Sequence, residues 1–272
     1  MEKFAIQLLY SFSFLSLLLH ILAAESHQTG EEKEFGYQLN SENGPSRWGE
    51  LEPEWRTCSN GTKQSPINIL KQSVKTVTHL GELDRDYRPS NATLKNKGHD
   101  MMLEWESGAG SIEINGKEYV LQQCHWHSPS EHTINGRRFA VEMHMVHKSE
   151  DGKVAVVGIL FKIGNPESFL SSLRDHLKSV GGTRKAEKVV GVVDPNDIKM
   201  SRKYYRYMGS LTTPPCTENV TWTISTKVRT VSKEQVRMIR VAAHAESGSN
   251  ARPIQATNGR LVQLYQPDEE DD

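Results

Sequence analysis

Stretch after stretch of this chain alternates apolar and polar residues with a period of two, a pattern that builds sheets and not helical bundles. The segments TLKNKGHDMMLEW (93–105), SIEINGKEYVLQQCHWH (111–127), RRFAVEMHMVH (137–147), KVAVVGILFKIG (153–164) and VTWTISTKV (220–228) are rich in Val, Ile, Thr and aromatics, with Gly, Asn or Pro signals between them. Neighbouring side chains on a strand point to opposite faces, so each segment buries one row and leaves the other for solvent or for chemistry. Two stretches read as helices. In PESFLSSLRDHLKSV, Pro166 suits a first turn, and Phe169, Leu170, Leu173, Leu177 and Val180 form one apolar face. Further on, Ser232 and Gln235 read as a capping box opening EQVRMIRVAAHA. The expected fold is mainly β: one domain on a large sheet, with peripheral helices.

A chain of 272 residues, 36% hydrophobic, buries a sizeable core, and no linker, repeat or low-complexity run divides it. A net charge of -1 with scattered basic residues lacks the electrostatic footprint of a nucleic-acid binder. At the N-terminus, Met1-Glu2-Lys3 leads into the apolar run Phe4 to Ala24, followed by small residues. Ser and His interrupt that run and no basic stop-transfer cluster follows, so residues 1–24 are expected to be a secretory signal peptide and not a stable membrane anchor. Residues 266–272 form an acidic, solvated tail.

The secretory route changes how the cysteines read. Cys58 and Cys216 sit in polar, turn-like surroundings, whereas Cys124 lies in an apolar strand. A Cys58–Cys216 disulfide with Cys124 as a buried thiol is the natural pairing, although spacing alone does not fix the connectivity. Sequons at Asn60, Asn91 and Asn219 suit a secreted chain with loops at those points.

Five of the 11 histidines fall between residues 123 and 147. On a strand, His125 and His127 share a face, and Glu142, His144 and Val146 share one on the next segment. Pairing of the two segments through the turn INGR would bring His144 to the other two. Three histidines with no fourth protein ligand are the layout of a catalytic zinc site. Gln123 and Glu142, two residues before His125 and His144, are placed to accept the remaining ring protons. His132 and His147 are expected to be structural. The sequence has no His-Glu-x-x-His, no Gly-x-Ser-x-Gly elbow and no dinucleotide-binding glycine fingerprint.

The motifs QCHWHSPSEHT, AVEMHMVH and GSLTTPPCTE, joined by FGYQLNSENGPSRWGEL, KQSPINI, NKGHD, VVGILFKIG, YYRYMGS, VTWT and NARPIQ, closely resemble the alpha-class carbonic anhydrases, the secreted plant members in particular. The likeness runs in order over residues 35–265. It implies a central, largely antiparallel twisted sheet of about ten strands. It also implies the Cys58–Cys216 bridge and zinc on His125, His127 and His144. The implied reaction is hydration of carbon dioxide to bicarbonate and a proton by zinc hydroxide; a water pKa of about 7 on zinc is the family's known value and not one obtained from this chain.

By the same resemblance Thr212 accepts from the hydroxide and donates to Glu131, Thr213 contacts substrate, and Val146, Val156, Leu211 and Trp222 form the apolar wall that holds a nonpolar gas. His99 stands at the proton-shuttle position, with Lys97 replacing an asparagine common in animal members; the added charge is expected to lower the pKa of His99. The family also contains storage and nectar proteins, some credited with monodehydroascorbate reductase activity. Its secreted members include some that reach the chloroplast by the secretory route.

Overall fold

The computed structural model describes residues 34–242 and 248–267. The expected signal peptide and Asp268–Asp272 lie outside the described residues. The alternating segments satisfy their backbone donors and acceptors against one another. In chain order the strands are β1 (Asn68–Ile69), β2 (Lys75–Val77), β3 (Asp84–Tyr87), β4 (Ser90–Asn96), β5 (Met101–Trp105), β6 (Gly110–Ile114), β7 (Lys117–His127) and β8 (Thr133–Ile134). They continue as β9 (Val141–Lys148), β10 (Val154–Ile163), β11 (Glu187–Val193), β12 (Tyr204–Ser210), β13 (Glu218–Ser225), β14 (Arg229–Val231) and β15 (Gln263–Tyr265).

All but β1 and β8 belong to one sheet of 13 strands, whose principal path is β11-β4-β5-β7-β9-β10-β13-β12-β15-β2, with β3, β6 and β14 paired off it. The expected sheet of about ten strands corresponds to that path. Most ladders are antiparallel, while β10 runs parallel to β13 and β14, and β15 parallel to β2, so the sheet is mixed. One face packs Cys124, Trp126, Met143 and Met145 into the larger core. The other packs Val156, Tyr205, Tyr207 and Trp222 into a second core.

Two local expectations need correction. The helical stretch is split into Ser168–Ser172 and Arg174–Val180, with Leu173 between them. Its start is fixed by Glu167, whose carboxylate accepts from Leu170 N at 2.7 Å, and not by the proline before it. The capping box holds: Ser232 Oγ accepts from Gln235 N at 3.1 Å and Gln235 Oε1 accepts from Ser232 N at 3.0 Å. Gln235 also accepts from Glu167 N at 2.8 Å and donates to Glu167 O at 2.7 Å, so one side chain serves two helix starts.

The second correction concerns the link between β7 and β9. INGR is not a hairpin joining them but a tight turn inside a longer excursion, closed by an Ile134–Arg137 bridge. β8 within that excursion pairs with β1, in parallel. The excursion has its own backbone partners, so the turn at Asn135-Gly136 forms as expected but does not join β7 to β9.

Candidate metal centre

The β7–β9 register sets His125 directly opposite His144 and His127 opposite Glu142. His127 and His144 are buried, and His125 is half-buried. One donor atom from each of the three histidines lies within 4.8 Å of the other two. In each ring one nitrogen is already committed. His125 Nδ1 donates to Gln123 Oε1 at 2.9 Å, His127 Nδ1 to the Asn250 carbonyl at 2.7 Å, and His144 Nε2 to Glu142 Oε1 at 2.8 Å. Those bonds fix the tautomers and turn the remaining lone pairs inward. His127 Nε2 is buried with no hydrogen-bond partner.

Burial lowers the pKa of both His125 and His144. Neighbouring histidine charge adds to the effect at His125, whereas Glu142 opposes it at His144. Neutral rings with converging lone pairs and an orphaned nitrogen suit a divalent metal of borderline softness. The residues present therefore fit zinc.

Glu142 is the hub behind them. Its Oε2 accepts from Glu131 N at 2.9 Å and His132 N at 2.7 Å, and its Oε1 from His132 Nδ1 at 2.6 Å as well as from His144. Burial pushes its pKa up, but His132 and His144 outweigh that and hold it well below the usual carboxylate range. His132 Nε2 in turn meets Tyr207 Oη at 2.7 Å, and Tyr207 Oη meets Ser65 Oγ at 2.8 Å. His132, Glu142 and His144 also lie within metal-binding distance of one another, but here their short separations are hydrogen bonds. Gly158 stands opposite His144, and a Cβ there would lie 2.6 Å from Ile224 Cδ1 and 3.2 Å from Glu142 Oε1. The hub needs that missing side chain.

Glu131 and Thr212 are both buried, yet the expected bond between them is not made. Glu131 Oε1 accepts from Arg252 N at 2.8 Å, and Oε2 has no hydrogen-bond partner. That oxygen faces the histidines instead, 3.5 Å from His127 Nε2 and 4.0 Å from His144 Nδ1. The ring nitrogens it faces are the two that carry no proton, so Glu131 Oε2 and His127 Nε2 are both left without a hydrogen.

The family model for eukaryotic-type carbonic anhydrase matches residues 43–266. The chain belongs to the carbonic anhydrase family. Alpha carbonic anhydrase 7 of Arabidopsis thaliana is 57% identical over 258 residues, covering 94% of each chain. Carbonic anhydrase Nec1 of Nesocodon mauritianus is 45% identical and also covers 94% of each. The crystal structure of dioscorin complexed with ascorbate matches with a TM-score of 0.85 at 46% identity, covering 87% of this chain and all of that one. The carbonic anhydrase family hydrates carbon dioxide and is in general zinc-dependent.

Within this carbonic anhydrase scaffold the remaining predicted residues take definite places. Trp222 packs against the histidine cluster, its ring 4.8 Å from that of His144. Val156 and Trp222 are buried in the second core, and Val146 and Leu211 pack against it. Thr213 is half-buried. His99 lies under Phe35, with ring centroids 4.6 Å apart, and its side chain is 28% exposed. Burial lowers the pKa of His99; Asp100 opposes this, while Lys97, His127 and Arg184 reinforce it. The expected direction holds, but burial and not Lys97 is the principal cause.

Cys58 and Cys216 form the disulfide, leaving Cys124 free and buried. Asn60, Asn91 and Asn219 are exposed as expected but do not lie in loops: Asn60 ends a short helix, Thr57–Asn60, Asn91 lies in β4 and Asn219 in β13, each at the start of its strand, where a side chain can reach solvent. Sequence reasoning missed Asn250, which orients His127 through a backbone carbonyl, and Gly158, which acts by an absent side chain. It also missed the role of His132 beside Glu142, for which the signal was available in the buried polar run Ser-Glu-His next to the strand.

Proposed function

We propose that this carbonic anhydrase reversibly hydrates carbon dioxide to bicarbonate and a proton, with zinc held by His125, His127 and His144. The observation that carries the reading is the convergence of three ring nitrogens whose partner nitrogens are all tied to acceptors. Zinc bound there supplies a water acidic enough to act as a nucleophile near neutral pH. Gln123 and Glu142 keep two of the rings in the ligating tautomer. Glu131 and Thr212, not bonded to each other here, take from the family resemblance the role of orienting the attacking oxygen, and Thr213 that of contacting the substrate. Val146, Val156, Leu211 and Trp222 hold an uncharged gas by excluding water. His99, its pKa lowered and its side chain partly exposed, is neutral at pH 7 and takes the released proton out to solvent.

Secretion belongs to the same reading, with a signal peptide over residues 1–24 and glycans on Asn60, Asn91 and Asn219. It is supported by the Cys58–Cys216 bridge and by the exposure of the three asparagines. The test is to count zinc per chain and follow carbon dioxide hydration by stopped flow in the wild type and in His144→Ala. Zinc near one per chain, with activity lost in the variant, is the expected result. Wild-type protein that takes up no zinc, or holds zinc without turnover, overturns it.

A storage-type reading is favoured by the likeness to dioscorin. It predicts a chain without turnover even at full metal loading.

A further inference from the structure

On β12 the alternation sends Tyr205 and Tyr207 to the histidine side of the sheet and Tyr204, Arg206 and Met208 to the other. A cavity of about 480 Å³ lies along that strand. Arg206, Arg260, Lys117 and Lys153 line it, and no carboxylate does. Lys117 and Lys153 share Asp151, at 2.6 Å and 3.5 Å. Arg260 gives its donors to backbone carbonyls, among them Gln64 O at 2.7 Å and Met208 O at 3.1 Å.

Arg206 is different. It is only 7% exposed, its Nε donates to Thr223 Oγ1 at 3.0 Å, and its guanidinium lies over the Tyr204 ring at 4.9 Å. Among the described residues it has no ion pair, and its terminal nitrogens have no protein acceptor but reach solvent at the cavity wall. Burial lowers its pKa, with Tyr204 and Tyr119 opposing, but an arginine remains cationic at physiological pH. The tyrosine face orients this charge without cancelling it. A buried charge is costly unless it is paired, so a cation held in this way at a cavity wall is a place for an anion.

We propose that this cavity binds a small organic carboxylate. The two oxygens sit on the planar fork of Arg206, and the apolar body packs against Tyr119, Ile114 and Leu80. The volume suits a small ligand. The site is independent of the reading of the histidine centre.

The test titrates benzoate into the zinc-loaded full chain by calorimetry, with Arg206→Gln, Lys153→Glu and His144→Ala as variants and benzamide as the neutral control. Benzoate is expected to bind one to one in the wild type and in His144→Ala. Binding is expected to weaken at least tenfold in Arg206→Gln and several-fold in Lys153→Glu, an exposed position that leaves the core untouched. Benzamide is expected to bind at least tenfold more weakly than benzoate. The proposal is overturned by absence of millimolar binding in the wild type, by equal affinity in Arg206→Gln or Lys153→Glu, by loss of binding in His144→Ala, or by equal binding of benzamide. If Arg206→Gln does not fold, Lys153→Glu and the benzamide control decide the outcome.

Discussion

His127 and Asn250 are 123 residues apart in the chain, and the imidazole Nδ1 of the first donates to the backbone carbonyl of the second at 2.7 Å. The Asn250 side chain fixes that carbonyl in place, accepting from Ser128 N at 2.7 Å and donating to Trp126 O and His99 O at 3.0 Å each. Asn250→Ala strands these buried groups and is expected to cost about 3 kcal/mol of stability. It should also weaken zinc binding by about tenfold to a hundredfold. Chelator competition alongside denaturant unfolding measures both, and unchanged zinc affinity would show that the carbonyl does not orient the ligand.

Gln123 separates orientation from stability. It is half-buried and meets the centre through its bond to His125. Gln123→Ala is expected to lower zinc affinity by about tenfold while shifting stability by under about 1 kcal/mol. Glu142→Ala, by contrast, leaves His132 and two backbone donors without an acceptor and should cost about 3–5 kcal/mol. A Gln123→Ala variant that unfolds as readily as Glu142→Ala would contradict this division.

The His99 titration distinguishes its two causes. Phe35→Ala removes the ring that covers His99, and Lys97→Asn removes a nearby positive charge. Both should raise its pKa toward the usual histidine value, and the acid limb of the proton-transfer rate should move up in pH with it. Because burial is the principal cause, Phe35→Ala should move it further. Nuclear magnetic resonance of the His99 ring proton follows this directly; a larger response to Lys97→Asn would reverse the ranking.

His147 carries an acid-stability signature. Its Nδ1 donates to Ala155 O at 3.3 Å and its Nε2 accepts from Tyr87 Oη at 2.8 Å, so protonation must reverse the second bond and place a charge among buried groups. Burial takes its pKa from 6.5 to about 4. Between those values the unfolded chain binds a proton that the folded chain refuses. The stabilisation is therefore complete above pH 6.5, falls as pH falls and levels off near pH 4. The loss totals about 3 kcal/mol. Denaturation across that window should show a shallower slope in His147→Gln than in the wild type; equal slopes would assign the proton elsewhere.

The disulfide closes a loop of 158 residues. The chain-entropy model gives about 5 kcal/mol for a loop of this length. Reduction should lower the unfolding midpoint accordingly, and a change under about 1 kcal/mol would point to a compact reduced state.

Much of this architecture is legible in the sequence because it rests on side-chain alternation. His125, His127, His144, Gln123 and Glu142 share faces through a period of two, and the register joins those faces. Apart from His132, whose tie to Glu142 has a signal in the Ser-Glu-His run, the parts that escaped have no side-chain signal. Asn250 serves His127 with a backbone carbonyl, Gly158 makes room by lacking a Cβ, and β8 leaves the apparent hairpin to pair with β1. The Glu131 bond to Thr212 is implied by the resemblance, but the orientation of a carboxylate depends on all the donors around it, and here Arg252 N is the donor that Glu131 meets.

The reach from His127 to Asn250 also has a meaning for biogenesis. Translation delivers the histidine 123 residues before the asparagine that steadies it. A nascent chain, or one cut short before residue 250, can display all the ligating side chains and still lack the support for one of them. The orientation of His127 therefore waits on a segment made 123 residues later.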